Sequence, residues 1–163
     1  MILKKINYKM GKNEWEMFQD LPNVENGAHN ICNGLPFEAF IFYLEQLQAN
    51  EYLKMNNHIC KTITYIAYNK NIPIGYVGIR PSINKQWREW GGNIFYAVRL
   101  SQRNKGFGTQ MCKHALKLLK EFGLKTIYCS SSENNIASQR VLEKCGGIFL
   151  YEDDGTRYYK FNI

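Results

Sequence analysis

The stretch from Val98 to Gly123, VRLSQRNKGFGTQMCKHALKLLKEFG, constrains this chain more than any other. It begins as the end of an apolar strand, passes through a basic loop with two glycines, and closes as an amphipathic helix. Met111, Ala115, Leu118, Leu119 and Phe122 recur at helical intervals, which predicts a helix packed on a sheet, and Gly123 suits its C′ position. The first turn of such a helix presents unpaired N–H groups and a partial positive charge. Gly106 and Gly108 lack a Cβ, so the backbone can approach an anion closely. Arg103 and Lys105 add full charges, and Thr109 adds a hydroxyl. The loop therefore reads as a phosphate cradle. A tight turn with no ligand stays open beside that reading, because neither the Walker spacing nor the third glycine of a dinucleotide fingerprint is present.

The rest of the chain surrounds this unit with alternating elements. A first strand is expected within residues 1–9 and a helix over 13–22, with Trp15 and Phe18 on one face and Pro22 as the stop. The polar segment 23–34 reads as a loop. A helix is expected over 35–50, with Phe37, Phe40, Leu44 and Leu47 at helical spacing. After a further polar loop come strands over 61–69, 72–80 and 93–99, with 81–92 as a connection. A strand over 125–131, a helix over 133–147 and a closing hairpin turned at Asp154-Gly155 complete the order. Such an order predicts a mixed α/β sheet with helices on its faces.

Bulk properties exclude several classes. At 163 residues the chain reads as one domain able to bury a core. Hydrophobic residues at 45% and charged residues at 21% describe a folded globular chain. No apolar run reaches the length of a membrane span, and the N-terminus lacks a sustained signal-like region, so a cytoplasmic location is expected. Five scattered cysteines without a C-x-x-C pair predict reduced, packing thiols. Three dispersed histidines offer no metal-ligand spacing, and no metal is expected. The net charge of +7 favours an anionic partner. Its dispersal ranks a local phosphate site above a nucleic-acid surface, for which no basic-aromatic array is present.

With these residues in view, V98-R-L-S-Q-R103-N-K-G106-F-G108-T109 resembles the Q/R-x-x-G-x-G/A loop of the GNAT superfamily of N-acetyltransferases. The run from Asn135 to Gly146, N-IASQRVLEKC-G, is similar to the superfamily's second motif. The segments EMFQDLP, ENG, IGYVGIRPSIN, GGNIFYAVR, ENNIAS and RYYKF resemble a bacterial subfamily of predicted acetyltransferases over nearly the full length. The resemblance implies a largely antiparallel central sheet with flanking helices, and a splayed pair of strands that binds CoA. Acetyl-CoA is the implied cosubstrate. Backbone at Ala97 and Val98 would pair with its pantetheine arm. Arg103, Asn104, Lys105, Gly106, Phe107, Gly108 and Thr109 would hold the pyrophosphate, while Asn135 and Ser138 would meet the arm. Asn135 also reads as an N-cap, and Ser138 as a small residue facing solvent.

The implied reaction is direct attack of an amine on the thioester, with backbone N–H groups stabilising the oxyanion. The departing thiolate gains from a proton donor. Many members place a Tyr where this chain has Leu142, and some place a Glu where it has Gly92. Tyr96, Tyr158 or water is left as the acid. Glu89, Asn93 with a water, and Glu133 are left as candidates for the base. Trp87, Trp90, Phe95 and Tyr96 either line an acceptor pocket or pack the core. The amine, small molecule or peptide, is not specified by the sequence, and a homodimer stays open. A CoA-binding sensory module with little catalysis is the alternative, sustained by the missing Tyr and Glu.

Overall fold

The computed structural model describes residues 1–26, 28–49, 52–55 and 58–163. Strand β1 (Ile2–Lys5), β6 (Ile63–Asn69), β7 (Ile72–Ile79) and β8 (Ile94–Val98) form one antiparallel sheet in that spatial order. A second antiparallel sheet has the order β10 (Ile148–Asp153), β11 (Thr156–Asn162), β9 (Thr126–Ser132). The turn between β6 and β7 places Lys70 and Asn71 at positive φ, and the last hairpin does the same with Asp154 and Gly155, as tight two-residue hairpins require. Two short hairpins stand apart: β2 (Val24–Glu25) with β3 (Ala28–His29), and β4 (Tyr52–Met55) with β5 (His58–Lys61). Both fall where the sequence reads as polar loop, and each pairs only two short strands, too few for alternation to show.

Helix α1 (Lys12–Gln19) and α2 (Phe37–Ala49) cover one face of the first sheet. Met17, Phe18, Phe40 and Leu44 meet Ile66 and Tyr68 there in one buried cluster. The side chain of Leu47, expected on the same stripe, lies outside the described residues. Helix α4 (Phe107–Glu121) covers the other face, and α5 (Ile136–Lys144) packs against α4 and β9. Met111, Ala115 and Leu119 of α4 are fully buried against Val77, Ile79, Ile94 and Ile127. Truncating one of these leucine or methionine side chains to alanine costs about 2–5 kcal/mol.

The apolar face of α4 is rotated slightly from its expected position. Phe122 is 49% exposed, whereas Phe107 and Cys112 are buried. The residues 107, 111, 115 and 119 form an unbroken i, i+4 row, and 122 falls off its edge. The connection over 81–92 also contains a short helix, α3 (Lys85–Trp90), whose N-cap Asn84 accepts from the Trp87 N–H at 2.9 Å. Among the described residues no helix is long and apolar enough to cross a membrane.

Candidate functional site

The two sheets touch at one seam. Gly92 makes an isolated bridge to Cys129, and the Asn93 N–H donates to the Tyr128 carbonyl at 2.6 Å. Among the described residues no ladder joins β8 to β9 beyond that point, so the two strands diverge. A Cβ on Gly92 would lie 2.1 Å from the Tyr128 carbonyl oxygen, and its φ is +66°. Only glycine tolerates both conditions.

Asn93, expected as a water-holding residue, is 2% exposed and committed to the seam. Its Nδ2 donates to the Arg80 carbonyl at 2.8 Å, and its Oδ1 accepts from the Tyr128 N–H at 2.8 Å. Its amide therefore ties three strands instead of presenting a polar group to the opening. Arg80 supports the same place from beneath. Its guanidinium donates to the Gly92 carbonyl at 2.9 Å and lies 4.8 and 4.6 Å from the ring centres of Trp87 and Phe95. Two aromatic faces stand where a carboxylate would otherwise be needed. The expected aromatic cluster is thus divided: Trp87 is core, Trp90 is 39% exposed, and Phe95 and Tyr96 point to opposite faces of β8.

Beyond Val98 the chain makes a short 3₁₀ turn over Leu100–Gln102 and enters α4. Asn104 and Gly106 both have positive φ, which folds the loop back over the helix start. No side chain caps α4, so the N–H groups of its first turn have no side-chain acceptor and fit an anion. A Cβ on Gly106 would meet nothing within 4 Å, which leaves open space above the turn. Gly108 serves differently: a Cβ there would lie 3.3 Å from Val141, so this glycine lets α4 and α5 approach. Phe107 faces the core and can offer only its backbone to a ligand. Lys105 Nζ folds back onto the Ser101 carbonyl and Gln102 Oε1 at 3.2 and 3.0 Å.

Arg103 departs most from expectation. Its Nη1 and Nη2 donate to both oxygens of Glu25 at 2.8 and 2.6 Å, and its Nε donates to the Val98 carbonyl at 3.0 Å. The fork geometry matches a carboxylate. Asp20 makes a second tie, accepting from Arg99 Nε at 2.6 Å and from the Ser101 backbone N–H and hydroxyl. Burial pushes the Asp20 carboxyl up, but the Ser101 and Arg99 bonds outweigh it and leave the group below the ordinary range. Residues 20–25 are thereby fastened to the loop that starts α4.

At the start of α5, Asn135 is the N-cap, its Oδ1 accepting from the Ser138 N–H at 3.1 Å. Ser138 does not face solvent; its hydroxyl lies 3.1 Å from the Tyr96 hydroxyl. Burial raises the Tyr96 phenol above the ordinary tyrosine range, and the Ser138 bond offsets part of that. Leu142, one turn on from Ser138, is 2% exposed and packed in the core. Glu89 and Glu133 are exposed. Tyr158 stacks on Tyr151 in the second sheet, with ring centres 4.6 Å apart.

The sequence matches the Acetyltransferase (GNAT) family over residues 29–147. The chain belongs to the GNAT acetyltransferases. A search of curated proteins returns no significant match. Solved structures share the fold at low identity. A GNAT-family acetyltransferase from Streptococcus pneumoniae is 14% identical, with 99% of each chain covered and a TM-score of 0.61. The ribosomal-protein-alanine N-acetyltransferase from Brucella melitensis is 11% identical, with 100% of each chain covered and a TM-score of 0.64. The Campylobacter jejuni N-acetyltransferase PseH, solved with acetyl coenzyme A, is 11% identical, covers 99% of this chain and 97% of its own, and has a TM-score of 0.62.

Within this GNAT chain the α1–α2 face of the sheet holds a pocket of about 220 Å³ that sequence reasoning missed. Phe18, Tyr43, Tyr76 and Phe95 supply its aromatic walls. Residues 29–32 close one side, and their loop is built by side-chain amides. Asn30 Nδ2 donates to the Phe18 and Leu21 carbonyls at 2.7 and 3.2 Å, and Gln19 Nε2 donates to the Cys32 carbonyl at 2.8 Å. These residues come from separate elements and share no spacing. The density of Asn between 23 and 33 was the one available signal of a side-chain-built wall.

Proposed function

We propose that the chain, as one catalytic unit over residues 1–163, transfers an acetyl group from acetyl-CoA to an amine by direct attack. The observation that carries this reading is the diverging β8–β9 pair leading into an uncapped α4. An arm extended from the α4 start runs back along the free edge of β8, past Val98 and Ala97 towards Phe95. Five strand residues span about 17 Å, enough to bring a thioester to the N-terminal half of β8. Neighbouring folds bind acetyl-CoA, as the PseH complex does. Pyrophosphate contacts come from the N–H groups of Gly106 to Thr109, with Asn104 shaping the turn and Lys105, held on Ser101 and Gln102, adding charge beside it. Arg103 holds the loop to Glu25 more than it holds phosphate.

The amine nitrogen attacks the carbonyl carbon, the C–S bond breaks, and an amide forms. The proton lost by the amine passes to solvent, the thiolate takes one from Tyr96, and solvent returns a proton to the phenolate. The buried phenol stays protonated at neutral pH and is held by Ser138 one helical turn from Leu142. Tyr96 thus supplies from β8 what other members supply from α5. Glu89 is solvated, Asn93 is structural, and no side chain at 92 acts as base.

Calorimetry with acetyl-CoA and thiol release with an amine panel test this together. Gly106→Val places a β-branched side chain at φ +75° and in the open space above the turn. The expected loss of acetyl-CoA affinity is roughly 100-fold. Unchanged affinity removes the loop from the cofactor site. Binding without thiol release from any amine favours the sensory module.

A further inference from the structure

We infer that the acceptor is a monoamine carried on a single aromatic ring, and that it lies in the pocket bounded by α1, residues 29–32 and Phe95. This rests on the acetyl-transfer reading above. Phe18 and Tyr76 are stacked, with ring centres 5.7 Å apart and planes 16° apart, and Tyr76 meets Phe95 edge-on at 6.2 Å. Ile6 and Ile31 add apolar surface. Flat aromatic and aliphatic walls around about 220 Å³ select a planar apolar body of about one ring.

Charge narrows the class further. Among the described residues no carboxylate lines the pocket, and its basic side chains are Lys5 and His29. Glu25, whose charge reaches Tyr76, is held by Arg103. A polyamine would leave further ammonium groups without a counterion beside apolar walls, and an aminosugar would leave hydroxyls without partners there, each at a large desolvation cost. A monoamine escapes this cost by losing its one proton, because an apolar surrounding lowers an amine's pKa. Deprotonation by desolvation also suits a site where position 92 admits no side chain.

Polar groups in the wall can orient the ligand. The Tyr43 and Tyr76 hydroxyls have no hydrogen-bond partner among the described residues, and burial holds both phenols protonated. Each can donate to the lone pair of a neutral amine or to a ring substituent. Phe95 links the pocket to the reaction, since it lines the cavity and belongs to the strand along which the thioester arm lies.

The test uses the full chain with 2-phenylethylamine, spermidine and an N-blocked lysine. Binding to the CoA-loaded protein is read by ligand-observed NMR, and turnover by thiol release. Ile31 is 56% exposed at the pocket, so Ile31→Glu adds a carboxylate without disturbing the core. Phenylethylamine is expected to bind and turn over, with Ile31→Glu lowering its kcat/KM about tenfold and improving spermidine relative to it. Turnover of spermidine or lysine but not phenylethylamine overturns the substrate class and leaves acetyl transfer standing. Phenylethylamine binding that is blind to Ile31→Glu, or absent, overturns the pocket assignment. Binding at the pocket with no thiol released from any amine overturns the transfer reading instead.

Discussion

The two sides of β8 are built on different principles. The side proposed for the cofactor is a backbone structure: diverging strands, a left-handed turn and an uncapped helix start. The side proposed for the acceptor is a side-chain structure, assembled from α1, α2, four strands of the first sheet and a loop held by amides. Backbone sites need glycines at fixed spacing, which a sequence displays. Side-chain pockets need only that distant residues converge. The first kind constrains what is held, and the second can drift between ligands while the first stays still.

The sharpest way to break this division is at its boundary. Gly92→Ala forces a Cβ against the Tyr128 carbonyl at a left-handed φ, and the expected loss is roughly 3 kcal/mol of unfolding free energy in denaturant melts. A loss under about 1 kcal/mol would mean that the seam can open and that the two sides are not rigidly separated.

Tyr96→Phe comes next. It removes only a hydroxyl from the cofactor face, so kcat is expected to fall about 100-fold while acetyl-CoA affinity holds. An unchanged kcat would assign the thiolate's proton to water.

The ties between the two sides give a smaller effect with a pH signature. The folded Asp20 carboxyl is depressed, so its contribution is fully present above its unfolded value of 3.8 and is lost as pH falls through the lower folded value. Asp20→Asn is expected to flatten that acid limb and to cost about 1–2 kcal/mol at neutral pH, read from stability against pH. An unaltered acid limb would mean that the tie at Arg99 and Ser101 carries little.

The smallest effect is chemical and leaves the fold intact. Contact with the buried Cys112 thiol holds the half-buried Cys145 below the ordinary thiol range, whereas burial pushes Cys32, in the pocket proposed for the acceptor, up to about 12. Near neutral pH, iodoacetamide followed by peptide mapping is expected to label Cys145 and spare Cys32. Labelling of Cys32 at a comparable rate would show that the acceptor wall opens.

Legibility in the sequence follows the same division. The α4 loop, the Asn135 cap and both tight hairpins were readable because turn residues and helical periodicity are local. The β4–β5 hairpin was not, since its strands are short and lie in a polar stretch. Phe122 was misplaced by one edge of a helical stripe. Arg103 reads as a phosphate ligand by position and charge; only the fold brings Glu25 to it. The pocket had little local sign beyond Phe95 and the asparagines of 23–33, because Phe18, Tyr43 and Tyr76 acquire meaning only when the sheet and helices are assembled.

The seam at Gly92 also limits how this chain can change. A carboxylate side chain at 92 would need room beside β9. Here a neighbouring carbonyl occupies that room, so a single codon change at 92 leads first through a poorly folded intermediate. A carboxylate at 92 requires prior movement of β9, and change is easier in the wall proposed for the acceptor, where the exposed Ile31 can vary.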